Sequence, residues 1–97
     1  DAARSRTPII VDDIVSSGGT MIETLDHLRQ LALPPVVCIV IHPVFAQNAY
    51  ARLLAAGAER IVSTDSIPHS SNAISIAGLL AEASAELFGS ALPARRP

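Results

Sequence analysis

The sequence predicts an α/β fold with three layers, in which a mostly parallel sheet is flanked by helices. Short apolar runs alternate with segments of helical periodicity, and this alternation is typical of βαβ units with parallel strands. The runs 8–11 and 36–41 are continuously apolar, as buried parallel strands are. Hydrophobic residues form 49% of the chain and aromatic residues only 3%, so we expect an aliphatic core.

The first helix is predicted over residues 20–33. Its apolar positions recur with the spacing of one helical face; they are Met21, Leu25, Leu28 and Ala32. Thr20 and Glu23 have the spacing of a capping box, which places the start of the helix at Thr20. The Pro-Pro pair at 34–35 should end the helix, because proline interrupts the helical hydrogen bonds.

The remaining elements continue the alternation of strands and helices. A second helix over 45–56 should end at Gly57, and a short strand over 60–63 should follow. After a polar loop, we expect a last strand over 74–76 and a helix over 77–88. The residues of this last helix predicted to face inward are Leu79, Leu80, Ala83 and Leu87.

The domain prediction is one partial domain with a tail. The first residue is Asp1 rather than Met, and the first strand begins within about eight residues. We therefore expect residues 1–88 to form a domain whose upstream part is missing. Residues 89–97 contain proline and arginine without periodicity, so we expect a loose C-terminal tail.

Composition argues against several classes of function. A formal net charge of −2 without a basic run argues against nucleic acid as a partner. All seven cationic residues are arginine, which excludes lysine-dependent chemistry from this sequence. No apolar stretch approaches the ~20 residues that span a bilayer. The single cysteine, Cys38, lies in an apolar run, where we expect it to be buried and reduced. These features predict a cytoplasmic protein that does not bind a membrane.

The segment 11–20 carries the chemistry. Asp12 and Asp13 follow a buried strand, and ligands bind at the carboxyl ends of parallel strands. Two carboxylates there can accept hydrogen bonds from a vicinal diol or hold Mg²⁺. The residues predicted to bind a phosphate at the following helix N-terminus are Ser16, Ser17, Gly18, Gly19 and Thr20. A simple turn with a helix cap would use the same residues, but two adjacent acids at such a strand end need a partner.

These residues resemble a known motif. The segment VDDIVSSGGT at 11–20 resembles the phosphoribosyl diphosphate (PRPP) motif of type I phosphoribosyltransferases. Three later segments resemble ribose-phosphate pyrophosphokinases, the PRPP synthetases, which share that fold: IHPVF at 41–45, IVSTDSIPH at 61–69 and IAGLLAEA at 76–83. The similarity extends over 9–87 and corresponds to the C-terminal part of a synthetase. At the second loop position Ser17 stands where the family usually has threonine.

The resemblance implies an enzyme that makes PRPP and AMP from ribose 5-phosphate and MgATP. Asp12 and Asp13 would hold the ribose hydroxyls with Mg²⁺ nearby, and the loop residues 16–20 would bind the 5-phosphate. The ATP-binding residues and the catalytic basic loop of the family have no counterpart in this sequence. The resemblance therefore implies a chain that binds the sugar phosphate but does not catalyse, within a homo-oligomeric enzyme of the cytoplasm.

Two other functions remain open at this stage. A phosphoribosyltransferase would use the same pocket to hold PRPP while a base attacks C1 of the ribose. A PRPP-synthetase-like regulatory subunit would retain the fold without activity. An intact enzyme that converts ATP and ribose 5-phosphate to AMP would exclude the phosphoribosyltransferase. The upstream sequence would identify a regulatory subunit, because an inactive homologue should lack the acids of the nucleotide site and the basic loop.

Other polar residues have both structural and functional interpretations. His42 is expected to be a hydrogen-bonded structural residue rather than a general acid. Asn48 and Tyr50 should pack or cap at the start of the second helix. Residues 64–66 form either a side-chain-stabilised turn or a wall of the ribose site. His69 has no metal-ligand partner at diagnostic spacing and is expected in a loop or an interface.

Overall fold

The structure, a computed structural model, describes residues 5–89. The strands are β1 (Ile9–Val15), β2 (Val36–Pro43), β3 (Ala58–Thr64) and β4 (Asn72–Ile74), and the helices are α1 (Gly19–Gln30), α2 (Ala49–Ala55) and α3 (Ala77–Phe88). All four strands are parallel and lie in the order β1-β2-β3-β4, which confirms the predicted α/β class with a parallel sheet. Apart from Gly89, the predicted tail over 89–97 lies outside the described residues.

The core lies between the sheet and the helices α1 and α2. Alternate residues of β2 point toward these helices and are buried, because successive side chains of a strand lie on opposite faces. The buried hydrophobic side chains of this core are Val15 of β1, Val36, Cys38 and Val40 of β2, Met21 and Leu25 of α1, Ala49 and Leu53 of α2, and Ala58 and Ile61 of β3. Leu25 and Leu53 are 1% and 0% exposed, and burying a leucine stabilises a fold by about 1.5–3 kcal/mol.

The opposite face of the sheet is partly exposed within the described residues: Val37 and Ile39 of β2 are half-buried there. Ile9 and Val11 of β1 lie opposite Val37 and Ile39 of β2 and therefore share a face with them. Ile9 is 59% exposed and Val11 is 65% exposed. The apolar run of β1 predicted a buried strand, and the structure covers only one of its faces.

The inward orientation predicted for α3 is wrong for the described residues. The helix covers 77–88 as predicted, yet none of its residues is buried. Leu79, Leu80 and Leu87 are 68%, 58% and 78% exposed. Helical periodicity identifies which face of a helix is apolar, but it does not supply the surface that covers this face. No helix of the described residues is long and apolar enough to cross a membrane.

The boundaries of β1 and α1 differ from the prediction. β1 continues to Val15, so Asp12 and Asp13 lie within the strand rather than after it. The predicted capping box is absent, because Gly18 precedes α1 and no side chain caps the helix. The helix ends at Gln30, and Ala32, predicted on its apolar face, lies beyond it with a φ of 56°.

The second helix begins later than predicted. Phe45, Gln47 and Asn48 all have left-handed backbone conformations, with φ between 48° and 58°, so a continuous helix cannot start at Phe45. A short 3₁₀ turn at Ala46–Asn48 replaces the first predicted turn, and α2 starts at Ala49. Similarly, β4 occupies 72–74 rather than 74–76.

Candidate phosphate-binding site

A cavity lies at the carboxyl end of β1, where the strand turns into α1. Its volume is about 230 Å³. It is lined by Asp12, Ile14, Val15, Ser16, Ser17, Gly18, Gly19, Thr20 and Met21. Six of the seven residues predicted from the sequence to bind substrate therefore meet at one cavity. The seventh, Asp13, is not among the lining residues.

The two adjacent acids have different surroundings. Asp12 is half-buried, lines the cavity and lies opposite Val40 in the pairing of β1 with β2. Asp13 is exposed, and it belongs to the other face because successive strand residues alternate. Only the Asp12 carboxylate is therefore placed to accept hydrogen bonds from a ligand in this cavity.

The loop before α1 presents backbone amides to the cavity. Gly18 has φ 80° and ψ 6°, a left-handed conformation that residues with a side chain rarely adopt. Its carbonyl accepts the N–H of Ile22 at 2.9 Å, which starts the helix. The first N–H groups of a helix have no acceptor within it, and here no side chain caps them. The first turn also contains no acidic residue, so this end favours an anion.

Helix α2 supports this loop from outside the cavity. A β carbon placed on Gly18 would stand 3.5 Å from Ala49 Cβ and 3.7 Å from Leu53 Cγ. Ala49 and Leu53 are both fully buried, so the loop rests on packed side chains. In addition, the Arg52 guanidinium donates a hydrogen bond from Nη1 to the carbonyl oxygen of Ser17 at 3.1 Å. The sequence interpretation missed Arg52, which lies 35 residues from Ser17 and carries no local signal.

The ends of β2 and β3 are joined by polar side chains. Ser66 Oγ donates to the Ile41 carbonyl at 3.1 Å and lies 2.8 Å from His42 Nδ1. A hydroxyl carries one hydrogen, so with this bond made, His42 Nδ1–H is the donor to Ser66 Oγ. Thr64 Oγ1 donates to the same Ile41 carbonyl and accepts the N–H of Ser66 at 3.2 Å. The hydrogen bond of His42 agrees with its structural interpretation.

A second polar network closes the loop between β3 and β4. Asn72 donates from Nδ2 to the Thr64 carbonyl at 2.7 Å and to Ser63 Oγ at 2.9 Å. Its Oδ1 accepts the N–H of His69 at 2.9 Å. The His69 ring centroid lies 4.7 Å from those of Phe45 and Tyr50. His69 is thus a packed loop residue, and Tyr50 packs as predicted.

Cys38 takes no part in this edge of the sheet. Its side chain is fully buried in the core, as predicted. Burial raises the pKa of its thiol from 9.0 to about 11, because the thiolate would lose its hydration. The thiol is therefore protonated and unreactive at neutral pH.

The residues of the cavity fit a magnesium ion that is shared with a ligand. The described residues contain no group of three or more His, Cys, Asp or Glu that could hold a metal. Mg²⁺ often uses only one or two protein carboxylates, together with water and ligand oxygens. Asp12 meets this requirement from within the cavity, whereas Asp13, predicted to hold the metal with it, lies on the other face of the strand.

Comparisons with known proteins agree with this architecture. A family model described as the phosphoribosyl transferase domain matches residues 3–76. A ribose-phosphate pyrophosphokinase of Methanopyrus kandleri is 38% identical over 84 residues, which are 87% of this chain and 29% of that protein. A ribose-phosphate pyrophosphokinase 2 of Archaeoglobus fulgidus is 40% identical over 77 residues, which are 79% of this chain and 28% of that protein.

A solved structure shows the same arrangement. The crystal structure of phosphoribosylpyrophosphate synthetase from Mycobacterium smegmatis superposes with a TM-score of 0.75 at 28% identity. The match covers 88% of this chain and 31% of that one, so this chain spans about a third or less of the proteins that it matches. The chain belongs to the phosphoribosyl transferase domain family and is a partial-length relative of the ribose-phosphate pyrophosphokinases.

Proposed function

We propose that this chain binds ribose 5-phosphate as the C-terminal part of a ribose-phosphate diphosphokinase. The complete enzyme would make PRPP and AMP from MgATP and ribose 5-phosphate. The observation that carries the proposal is the cavity that combines Asp12 with the uncapped amino end of α1. The names of the relatives support this reaction, and the cavity supports the binding of one of its substrates.

The two ends of the cavity suit the two ends of the sugar phosphate. The 5-phosphate would bind the backbone N–H groups of the first turn of α1 and the hydroxyls of Ser16, Ser17 and Thr20. The ribose hydroxyls would donate to the Asp12 carboxylate on β1. This orientation keeps the Asp12 carboxylate away from the phosphate, because like charges at the same point would repel.

This part of the enzyme would contribute positioning. Transfer of a diphosphoryl group requires the C1 hydroxyl of the sugar to be held beside the β-phosphorus of ATP. We assign no catalytic residue to the described chain. Mg²⁺, when bound near Asp12, would offset negative charge on the ligand oxygens. We propose that ATP binds to other parts of the complete enzyme.

The partners follow from the same proposal. The small molecules are ribose 5-phosphate and ATP, and the assembly is a homo-oligomer of the cytoplasm. A net charge of −2 opposes binding to nucleic acid, whose phosphates repel an acidic surface.

Calorimetric titration of the 97-residue chain in the presence of Mg²⁺ tests the proposal. Ribose 5-phosphate, inorganic phosphate and ribose should bind with decreasing affinity, because only the first uses both ends of the cavity. Inorganic phosphate should compete with ribose 5-phosphate. Binding of ribose as tight as that of ribose 5-phosphate would contradict a phosphate site, and the absence of binding by any of the three would overturn the proposal.

A further inference from the structure

Arg52 connects α2 to the loop of the candidate site. Its Nη1 lies 3.1 Å from the carbonyl oxygen of Ser17, and Ser17 itself lines the cavity. The residues that follow these two in the sequence, Leu53 on α2 and Gly18 in the loop, also pack together. A β carbon on Gly18 would stand 3.7 Å from Leu53 Cγ. The hydrogen bond of Arg52 thus adds a directional link to a contact that is otherwise apolar.

The hydrogen bond to Arg52 also determines the direction of the Gly18 N–H. In a trans peptide the C=O and the following N–H point in opposite directions, and the structure contains no cis peptide in its described part. The Ser17 carbonyl points to Arg52 on α2. The N–H of Gly18 belongs to the same peptide plane and therefore points away from Arg52, and both Ser17 and Gly18 line the cavity.

The charge of Arg52 remains available beside this loop. Within residues 5–89, Arg29 on α1 forms an ion pair with the carboxylate of Asp26 at 2.8 Å. Arg52 has no such carboxylate partner there, and its side chain is exposed. A hydrogen bond from a charged donor is stronger than one between neutral groups, so it can stabilise this orientation of the Ser17–Gly18 peptide.

We propose that Arg52 is a positioning residue for the phosphate-binding loop. It fixes the peptide between Ser17 and Gly18 so that the Gly18 N–H is directed at the phosphate of the ligand. Arg52 acts through the carbonyl of Ser17 and does not touch the phosphate. The inference rests on the proposed function, because it assumes that the cavity binds a sugar phosphate.

The test compares three variants of the 97-residue chain. Arg52→Met removes the donor and keeps the length of the side chain, whereas Arg52→Lys keeps a charged donor. Arg29→Met removes the same charge from an exposed site on α1 and serves as the matched control. Two quantities are measured: the amide resonances of Gly18 and Gly19 in the free chain, and the Kd for ribose 5-phosphate with Mg²⁺.

We expect Arg52→Met to shift the Gly18 amide resonance in the free chain and to raise the Kd by up to about tenfold, because the Ser17–Gly18 peptide must then be reoriented when the ligand binds. Arg52→Lys should restore both quantities in large part, and Arg29→Met should change neither. An unchanged Gly18 resonance with a raised Kd would show direct attraction of the phosphate and would overturn the positioning role. A shifted resonance with an unchanged Kd would overturn it as well.

The same measurements distinguish a failure of the proposed function from a failure of the role proposed for Arg52. If the parent chain binds no ribose 5-phosphate, the site assignment fails, whatever the variants show. If the parent binds and Arg52→Met leaves both quantities unchanged, the assignment stands and the role of Arg52 is refuted. Circular dichroism checks that all three variants are folded, which we expect because Arg52 and Arg29 are exposed.

Discussion

Asp12 of β1 lies directly opposite Val40 of β2 and lines the cavity, whereas its neighbour Asp13 is exposed and lies outside the lining. Val40 is fully buried, so the backbone that carries Asp12 is held by the core. The half-buried position of Asp12 is compatible with a ligand that donates hydrogen bonds to its carboxylate. The two acids, adjacent in sequence, are therefore not equivalent in the structure.

Asp12→Asn should weaken the binding of ribose 5-phosphate about tenfold or more, because a hydrogen bond to a charged group contributes about 1.5–3 kcal/mol. Asp13→Asn, the matched control with the same change of charge, should raise the Kd less than about threefold. Calorimetric titration with Mg²⁺ measures both values. Equal losses for the two variants would contradict the different roles assigned to the two acids.

Gly18→Ala should destabilise the chain by about 1–2 kcal/mol, because the residue has φ 80° and an L side chain is strained there. The same change should weaken binding of ribose 5-phosphate by altering the loop. Chemical denaturation and calorimetric titration measure the two effects.

Gly78→Ala is the matched control for Gly18. Gly78 lies in α3, and a β carbon there would meet nothing within 4 Å. Alanine favours a helix over glycine, so the stability of this variant should be unchanged or slightly higher. If Gly18→Ala were as stable as Gly78→Ala, the left-handed conformation assigned to Gly18 would be wrong.

Because the thiol of Cys38 is buried, we expect the stability of the chain to fall at alkaline pH. Its pKa is raised to about 11 in the folded chain, against 9.0 for an exposed thiol. Between these values the unfolded chain loses the proton and the folded chain keeps it, so stability falls as the pH rises. The loss approaches about 1.4 kcal/mol per pH unit within this range.

In the Cys38→Ala variant, the part of the fall in stability at alkaline pH that is due to this thiol should be absent. Denaturation of both proteins from pH 8 to pH 11 measures the difference, because the other titrating groups are common to the two. The same burial predicts that a thiol reagent reacts with Cys38 only after unfolding. Rapid labelling of the folded chain at pH 8 would contradict the buried position.

Asn72→Ala should lower the free energy of unfolding by about 2–3 kcal/mol. The change removes the donor to the Thr64 carbonyl and to Ser63 Oγ and the acceptor for the His69 N–H. Gln30→Ala, at the exposed end of α1, is the control and should change stability by less than about 0.5 kcal/mol. Urea denaturation of the two variants measures the difference, and equal stabilities would refute the role of this network.

Structural features that depend on neighbouring residues in the sequence were predicted correctly. The apolar run around Cys38 predicted a strand of a parallel sheet, and β2 is that strand, with Val36, Cys38 and Val40 buried. The loop residues 16–20 line one cavity together, since they are consecutive at the end of a strand. Both features follow from local order in the chain.

Features that depend on distant partners could not be predicted in the same way. The acids at 12–13 suggested the end of β1, but Ile14 and Val15 continue the strand by pairing with His42 and Pro43. Arg52 reaches the Ser17 carbonyl from α2, and no sequence pattern connects residues so far apart. The apolar face of α3 is likewise set by periodicity, whereas its burial depends on a covering surface.

Titration of the isotope-labelled chain with ribose 5-phosphate and Mg²⁺, followed by amide-resolved NMR, shows directly whether the cavity between β1 and α1 binds the sugar phosphate. We expect saturable shifts that are largest at the amides of 16–20 and at Asp12, and inorganic phosphate should reproduce those at 16–20 alone. Shifts centred elsewhere would contradict this expectation, for example at the apolar cavity beside Leu28 and Leu33 at the other end of α1. An unchanged spectrum at saturating ribose 5-phosphate would contradict it as well.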